Sequence, residues 1–150
     1  MGEPSIGSRD KTVHDVCRLA ADFYSGKDVS EVELIRASGY RELRQVVTVS
    51  DIAACLRQHP DWERAWVMLS ADQRVDQGWY VLERDGKCVV GSFPGGRETT
   101  FDDCTLACSD FVKRHAEELA DWTARGMLRQ TAGWFADQFR DEFRRRRQRP

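Results

Sequence analysis

The dipeptide Asp85-Gly86, set inside GWYVLERDGKCVVG, constrains this chain more than any other feature. Asp-Gly flanked by apolar residues signals a two-residue type I′ turn, in which both central positions need positive φ. Counting outward pairs Glu83 with Cys88, Leu82 with Val89, Val81 with Val90 and Tyr80 with Gly91. One hairpin face then carries Tyr80, Leu82 and Val89, and the other Trp79, Val81, Cys88 and Val90. Gly91 leaves room for the Tyr80 ring across the ladder. Both faces are apolar near the open end. One packs on helices, and the other needs a second cover or a partner.

Helical signals surround the hairpin. Asp10 can cap a helix in which Val13, Val16, Cys17, Ala20 and Phe23 or Tyr24 recur at helical spacing until Gly26. Ser30 and Glu33 make a capping box for a short helix with Leu34 and Ile35 inward, closed near Ser38 to Tyr40. The β-branched segment LRQVVTV predicts a strand over 43–49, and Ser50 a cap for a helix stopped by His59-Pro60. RAWVMLS predicts a second strand over Arg64 to Ser70, with a short edge strand at ETTF. Asp102 or Asp103 opens a long helix whose face carries Cys104, Cys108, Phe111, His115, Leu119 and Trp122. Gly126 breaks it, and a last helix with Leu128, Ala132, Phe135, Phe139 and Phe143 runs into four arginines, where the helix dipole favours cations.

This order predicts an α+β domain, with an antiparallel sheet of three to four strands around a central hairpin, backed by helices and followed by long C-terminal helices. The expected organisation is a disordered arm over 1–10, one domain over 11–146 and a basic tail over 147–150. Within the domain, 11–40 is helical, 43–101 is sheet with one inserted helix, and 103–146 is two helices.

Charge and composition narrow the function. With 41% hydrophobic and 32% charged residues, the chain is neither disordered nor a membrane protein. No apolar run approaches the ~20 residues that span a bilayer. The start, MGEPSIGSRD, has no apolar centre of the secretory kind. The five cysteines are odd in number and lack a framework spacing, so free thiols in a cytoplasmic setting are expected. Six of the 23 basic residues fall in RDEFRRRRQRP, which leaves an acidic body. That body argues against nucleic acid and for a basic protein partner.

Chemistry-bearing patterns are few. Cys104, Cys108 and His115 share a helix face, as do His14 and Cys17, but tetrahedral zinc needs a fourth ligand and favours closer pairing. Both sets read as packing. Cys104, in a first helical turn, is the one candidate nucleophile, and Asp102 and Asp103 act against its thiolate. Pro94 to Arg97 could form an anion nest, although glycine turns that bind nothing are commoner. No phosphate loop, dinucleotide fingerprint, His-Glu-x-x-His or Gly-x-Ser-x-Gly is present, and no cofactor is implied.

The layout of Asp72 and Arg74, then Gly78 to Tyr80, then Ala107-Cys108 at a helix opening resembles small bacterial immunity proteins. These are cytosolic inhibitors encoded beside polymorphic or contact-dependent toxins. The resemblance covers roughly residues 10 to 120, and the segment after Gly126 lies outside it. It implies a protein without a reaction of its own, which binds a cognate toxin and blocks it. The partner-binding residues expected on this reading are Asp72, Arg74, Asp76, Trp79, Tyr80 and Asp85. The alternatives are a homodimeric adaptor or regulatory module using Trp134 and Phe135 to Phe143, and a cysteine-dependent enzyme acting through Cys104.

Overall fold

The structure, a computed structural model, describes residues 6–26, 28–72 and 78–124. Five helices come first: α1 (Ile6–Tyr24), α2 (Glu31–Ser38), α3 (Tyr40–Leu43), α4 (Val49–Gln58) and α5 (Pro60–Asp72). A three-stranded antiparallel sheet follows, of β1 (Gly78–Arg84), β2 (Lys87–Phe93) and β3 (Thr99–Phe101), ordered β1-β2-β3. The helix α6 (Cys104–Ala124) closes the described chain. The fold is therefore α+β, with a hairpin-centred antiparallel sheet backed by helices. The expected break at Gly126, the last helix and the arginine tail lie outside the described residues.

The hairpin has the expected register, from Trp79 opposite Ser92 to Arg84 opposite Lys87. Asp85 and Gly86 hold φ of 54° and 76°, the left-handed pair that a type I′ turn requires. Val81, Cys88 and Val90 enter the core with Trp79 at its margin. On the opposite face, Tyr80 lies across Gly91. β3 adds to the outer side of β2, with Thr99 opposite Val90 and Phe101 opposite Cys88.

Local capping sets several boundaries. Ser30 and Glu33 form the expected capping box of α2, and Gly39, left-handed at φ 72°, ends it. Asp103 is the cap of α6: its carboxylate accepts from the amides of Thr105 and Leu106. The helix α1 begins at Ile6, so residues 6–10 belong to it and not to an arm.

Both strands expected before the hairpin are absent. Residues 43–49 form the end of α3, a turn closed by the Val46 and Val47 amides on the Leu43 carbonyl, and the start of α4. Thr48, not Ser50, caps α4, in a reciprocal box with Asp51. Capping there outweighs the weak β-propensity of a Val-Val-Thr run that has no strand beside it. Residues 64–70 lie inside α5, where Pro60 occupies the first helical position that suits its fixed φ. Ala65, Trp66, Leu69 and Ser70 are buried, at helical rather than alternating spacing. The segment expected as sheet with one inserted helix thus holds two full helices before any strand.

The core is built around Trp66, Tyr40 and Phe111, with Val16, Leu19, Ile35, Ile52, Leu56 and Leu69 filling between them. The Trp66 indole N–H donates to the Cys17 carbonyl at 2.9 Å, which satisfies its one polar atom. Ser70 performs an unusual service for the sheet. Its hydroxyl accepts from the Val81 amide at 2.8 Å and donates to the Val81 carbonyl at 3.1 Å. A helix residue thereby pairs backbone groups on the open edge of β1.

The cysteines also differ from expectation. Cys88 on β2 and Cys104 at the start of α6 form a disulfide, with Cα atoms 5.2 Å apart. The register that places Cys88 opposite Phe101 brings it beside the first turn of α6. Free thiols were expected throughout, and the cysteine argument for a reducing compartment falls with that expectation.

Candidate functional site

The positions of the expected site residues divide them. Trp79 sits half-buried where β1 meets α6. Tyr80 points to the other sheet face, 8% exposed, and its hydroxyl donates to Glu98 at 2.8 Å. Burial, then that bond, raises the Tyr80 pKa. Glu98 is clamped by both Arg84 guanidinium nitrogens, which pull its carboxyl pKa down, with Tyr80 adding to the effect. Asp85 is exposed at the hairpin tip, roughly 20 Å along the strand from Trp79 at ~3.3 Å per residue. Asp72 ends α5 and accepts from the Tyr24 hydroxyl. Arg74 and Asp76 lie outside the described residues. No single patch gathers Trp79, Tyr80 and Asp85.

Around Trp79 a different site assembles. An open cleft of about 510 Å³ is lined by Trp79, Arg114, Glu117, Glu118, Asp121 and Trp122. Five of the six come from α6, where residues 114, 118 and 121–122 recur at the three- and four-residue spacing of one face. Arg114 lies over the Trp79 ring, 4.5 Å from its centroid, and its Nε donates to Asp110 at 2.8 Å. The indole and carboxylate fix this arginine between them. Gly78 opens β1 at φ 127°, a conformation that favours glycine, and a Cβ there would lie 3.8 Å from Glu118. Trp122, expected in the apolar stripe of α6, is 43% exposed and forms the outer wall. The expected Cys108, Phe111 and His115 are buried, and Ala107, Val112, Ala116 and Ala120 complete the core face of α6.

The inner wall is braced from α3. Lys113 Nζ donates to the Tyr40 hydroxyl at 2.8 Å, the Arg44 carbonyl at 2.8 Å and Glu117 at 3.0 Å. Tyr40 in turn donates to Glu117 at 2.9 Å, and burial with this bond pushes its pKa up. Arg44 reaches Asp121 at 2.6 Å. Glu117 and Asp121 are thus neutralised and held in place. Glu118 has no ion-pair partner among the described residues, and it lines the cleft with both indoles. It thus shares the cleft lining with Trp79, whose ring carries Arg114, and with Trp122.

The candidate metal and nucleophile sets do not assemble. Cys104 is in the disulfide, so it offers no thiolate. His115 Nε2 lies 2.7 Å from Glu31, and Cys108 is buried facing the Glu63 carbonyl. His14 stands edge-on against Trp62, with His59 stacked on that indole, while Cys17 lies in the core. Among the described residues, no group of three His, Cys, Asp or Glu side chains could hold a metal ion. Nor is any helix among them long and apolar enough to cross a membrane.

Sequence reading found Trp79 and missed Arg114, Glu117, Glu118 and Asp121. Their signal was the alternation of charge on one face of α6, which resembles any solvated helix surface until β1 is laid beside it. The chain matches no family model, no curated protein and no solved structure.

Proposed function

We propose that this protein is a non-catalytic, immunity-like inhibitor that binds a basic toxin domain and blocks it. The observation that supports the reading is the cleft between β1 and α6. Trp79, with Arg114 over its ring, and the exposed Trp122 line it, and Glu118 on α6 adds a carboxylate. Tight inhibitors concentrate binding energy in a few such anchors, and complementary charge speeds encounter. The resemblance of the hairpin and its flanks to immunity proteins points the same way. Of the described residues first expected, the binding face keeps Trp79 and exchanges Asp72, Tyr80 and Asp85 for Glu118 and Trp122.

The test is co-production. A basic protein that arrests growth alone, and is tolerated beside this chain, is the expected partner. Trp79→Ala and Glu118→Lys should each weaken the complex by at least about 30-fold, as hot-spot changes of ~2 kcal/mol do. Asp85→Lys should leave affinity within a few-fold. An unchanged affinity for both cleft variants removes this face from the proposal. The proposed setting is the cytoplasm, which the redox state of Cys88 and Cys104 in cells also tests. A cytoplasmic pool holds them largely as thiols, and an exported one keeps the bond.

A further inference from the structure

The two halves of the Cys88–Cys104 disulfide stand in different surroundings. Cys88, the second residue of β2, is 6% exposed and belongs to the core. Cys104, the first residue of α6, is exposed. A reductant in solution therefore reaches the Cys104 half of the bond and is kept from the Cys88 half. Exposed disulfides are the labile ones, and access decides which sulfur is attacked.

The charges around Cys104 suit such an exchange. A sulfur released there stands at the positive end of the α6 dipole, which favours negative charge. Asp102 and Asp103 precede it, but each is ion-paired. Lys87 Nζ lies 3.3 Å from Asp102, and Arg57 donates to Asp103 at 2.8 Å. The acids that count against a thiolate in the sequence are thus partly offset by cations from β2 and α4. The fold is also built to outlast the bond. Val81 and Val90 of the sheet share the core with Phe111 and Val112 of α6. Ser70 pins β1 to α5, and the Lys87–Asp102 pair ties the start of β2 to the segment before α6.

We propose that Cys88–Cys104 is a reversible redox tie, opened and closed by a dithiol in the folded protein, with Cys104 as the exchanging sulfur. In the first step a thiolate of the dithiol attacks the Cys104 sulfur. A mixed disulfide forms on Cys104 as the bond to Cys88 breaks, and Cys88 leaves as a thiolate that takes up a proton. In the second, the other thiolate of the dithiol attacks its partner sulfur in the mixed disulfide. The dithiol closes to its own disulfide, and Cys104 leaves as a thiolate. Two electrons pass from the dithiol to the protein disulfide, and an added disulfide runs both steps backwards. Opening releases β2, β3 and the first turn of α6 from their covalent loop and leaves Cys104 as an exposed thiol. It holds whatever partner the cleft takes.

Dithiothreitol is the probe, added without denaturant to the purified full chain in its oxidised form. Brief iodoacetamide pulses with peptide maps, and hydrogen exchange, are the readouts. Cys104 should gain label after dithiothreitol, while Cys88 stays unlabelled until the chain is unfolded. Hydrogen exchange should rise within residues 88–106 and stay unchanged in α1 and α5. Exchange of dithiothreitol for oxidised glutathione should restore the bond and the protection of Cys104. Labelling of Cys104 only once urea unfolds the chain would make the bond purely structural and overturn the proposal. So would labelling of Cys88 together with Cys104, or a rise in exchange along the whole chain, since either means that the fold does not outlast the bond.

Discussion

Gly91→Ala inverts a common rule. Inside a strand, alanine is ordinarily more stable than glycine by about 0.5–1 kcal/mol. At Gly91 a Cβ would lie 2.3 Å from the Tyr80 hydroxyl oxygen, 2.5 Å from Cζ and 3.0 Å from Cε1. Carbon contacts settle near 3.5–4.0 Å, so the ring must withdraw by about 1 Å or more. Tyr80 is only 8% exposed and bonded to Glu98, so withdrawal strains the packing and breaks that bond. Overpacking costs about 1–3 kcal/mol, and a partly exposed bond to a carboxylate adds roughly 1 kcal/mol. The expected loss is about 3 kcal/mol, which lowers Tm by roughly 6–12 °C for a chain of this size. Urea unfolding followed by tryptophan fluorescence reads it. The decisive measurement is the double-mutant cycle. With Tyr80→Ala already present, the clash has no partner, and Gly91→Ala should be neutral or slightly stabilising, a coupling of about 3 kcal/mol. A neutral Gly91→Ala in the wild type, or an equal cost in both backgrounds, refutes the packing argument.

Two further outcomes follow from the described contacts. Ser70→Ala leaves the Val81 amide and carbonyl without their partner on α5, and should cost about 1–3 kcal/mol. Faster hydrogen exchange at the Val81 amide, beyond the global loss of stability, would assign that cost to the strand edge. Acid should also destabilise the fold. Hydrogen bonds from Arg84 hold the Glu98 pKa down, those from the Ser30 backbone hold Glu33 down, and Arg57 holds Asp103 down. Groups depressed in the folded state stabilise it above their unfolded pKa, and lose that contribution as pH falls through the folded value. The urea midpoint should therefore be flat near neutrality and fall below about pH 4. A midpoint unchanged between about pH 6 and about pH 3 counts against these pairings.

What sequence alone determined about this protein is what short-range geometry determines. The Asp85-Gly86 turn demands two positive φ values and fixes the register of every pair from Trp79–Ser92 to Arg84–Lys87. Ser30 with Glu33, and Asp103 before Cys104, satisfy helix-end amides within a few residues of themselves, so their meaning does not wait on the rest of the fold. The hidden pairing of Tyr80 with Gly91 was legible for the same reason, as a consequence of register.

Tertiary structure decided the rest. Short apolar runs such as RAWVMLS satisfy helix and strand patterns almost equally, and burial of Trp66 and Leu69 against α1 and α6 settles the matter. Ser70 is a helix residue whose worth lies in a strand it does not adjoin in sequence. The bond between Cys88 and Cys104 depends on where β2 begins relative to the start of α6, which cysteine spacing cannot express. The cleft is the furthest from the sequence. Trp79 and Glu118 lie on separate elements, and only the approach of α6 to β1 turns an ordinary charged helix face and half a hairpin into one aromatic, acidic pocket. Contacts of that kind are chosen by the packing of whole elements, in which no local stretch of chain has the deciding share.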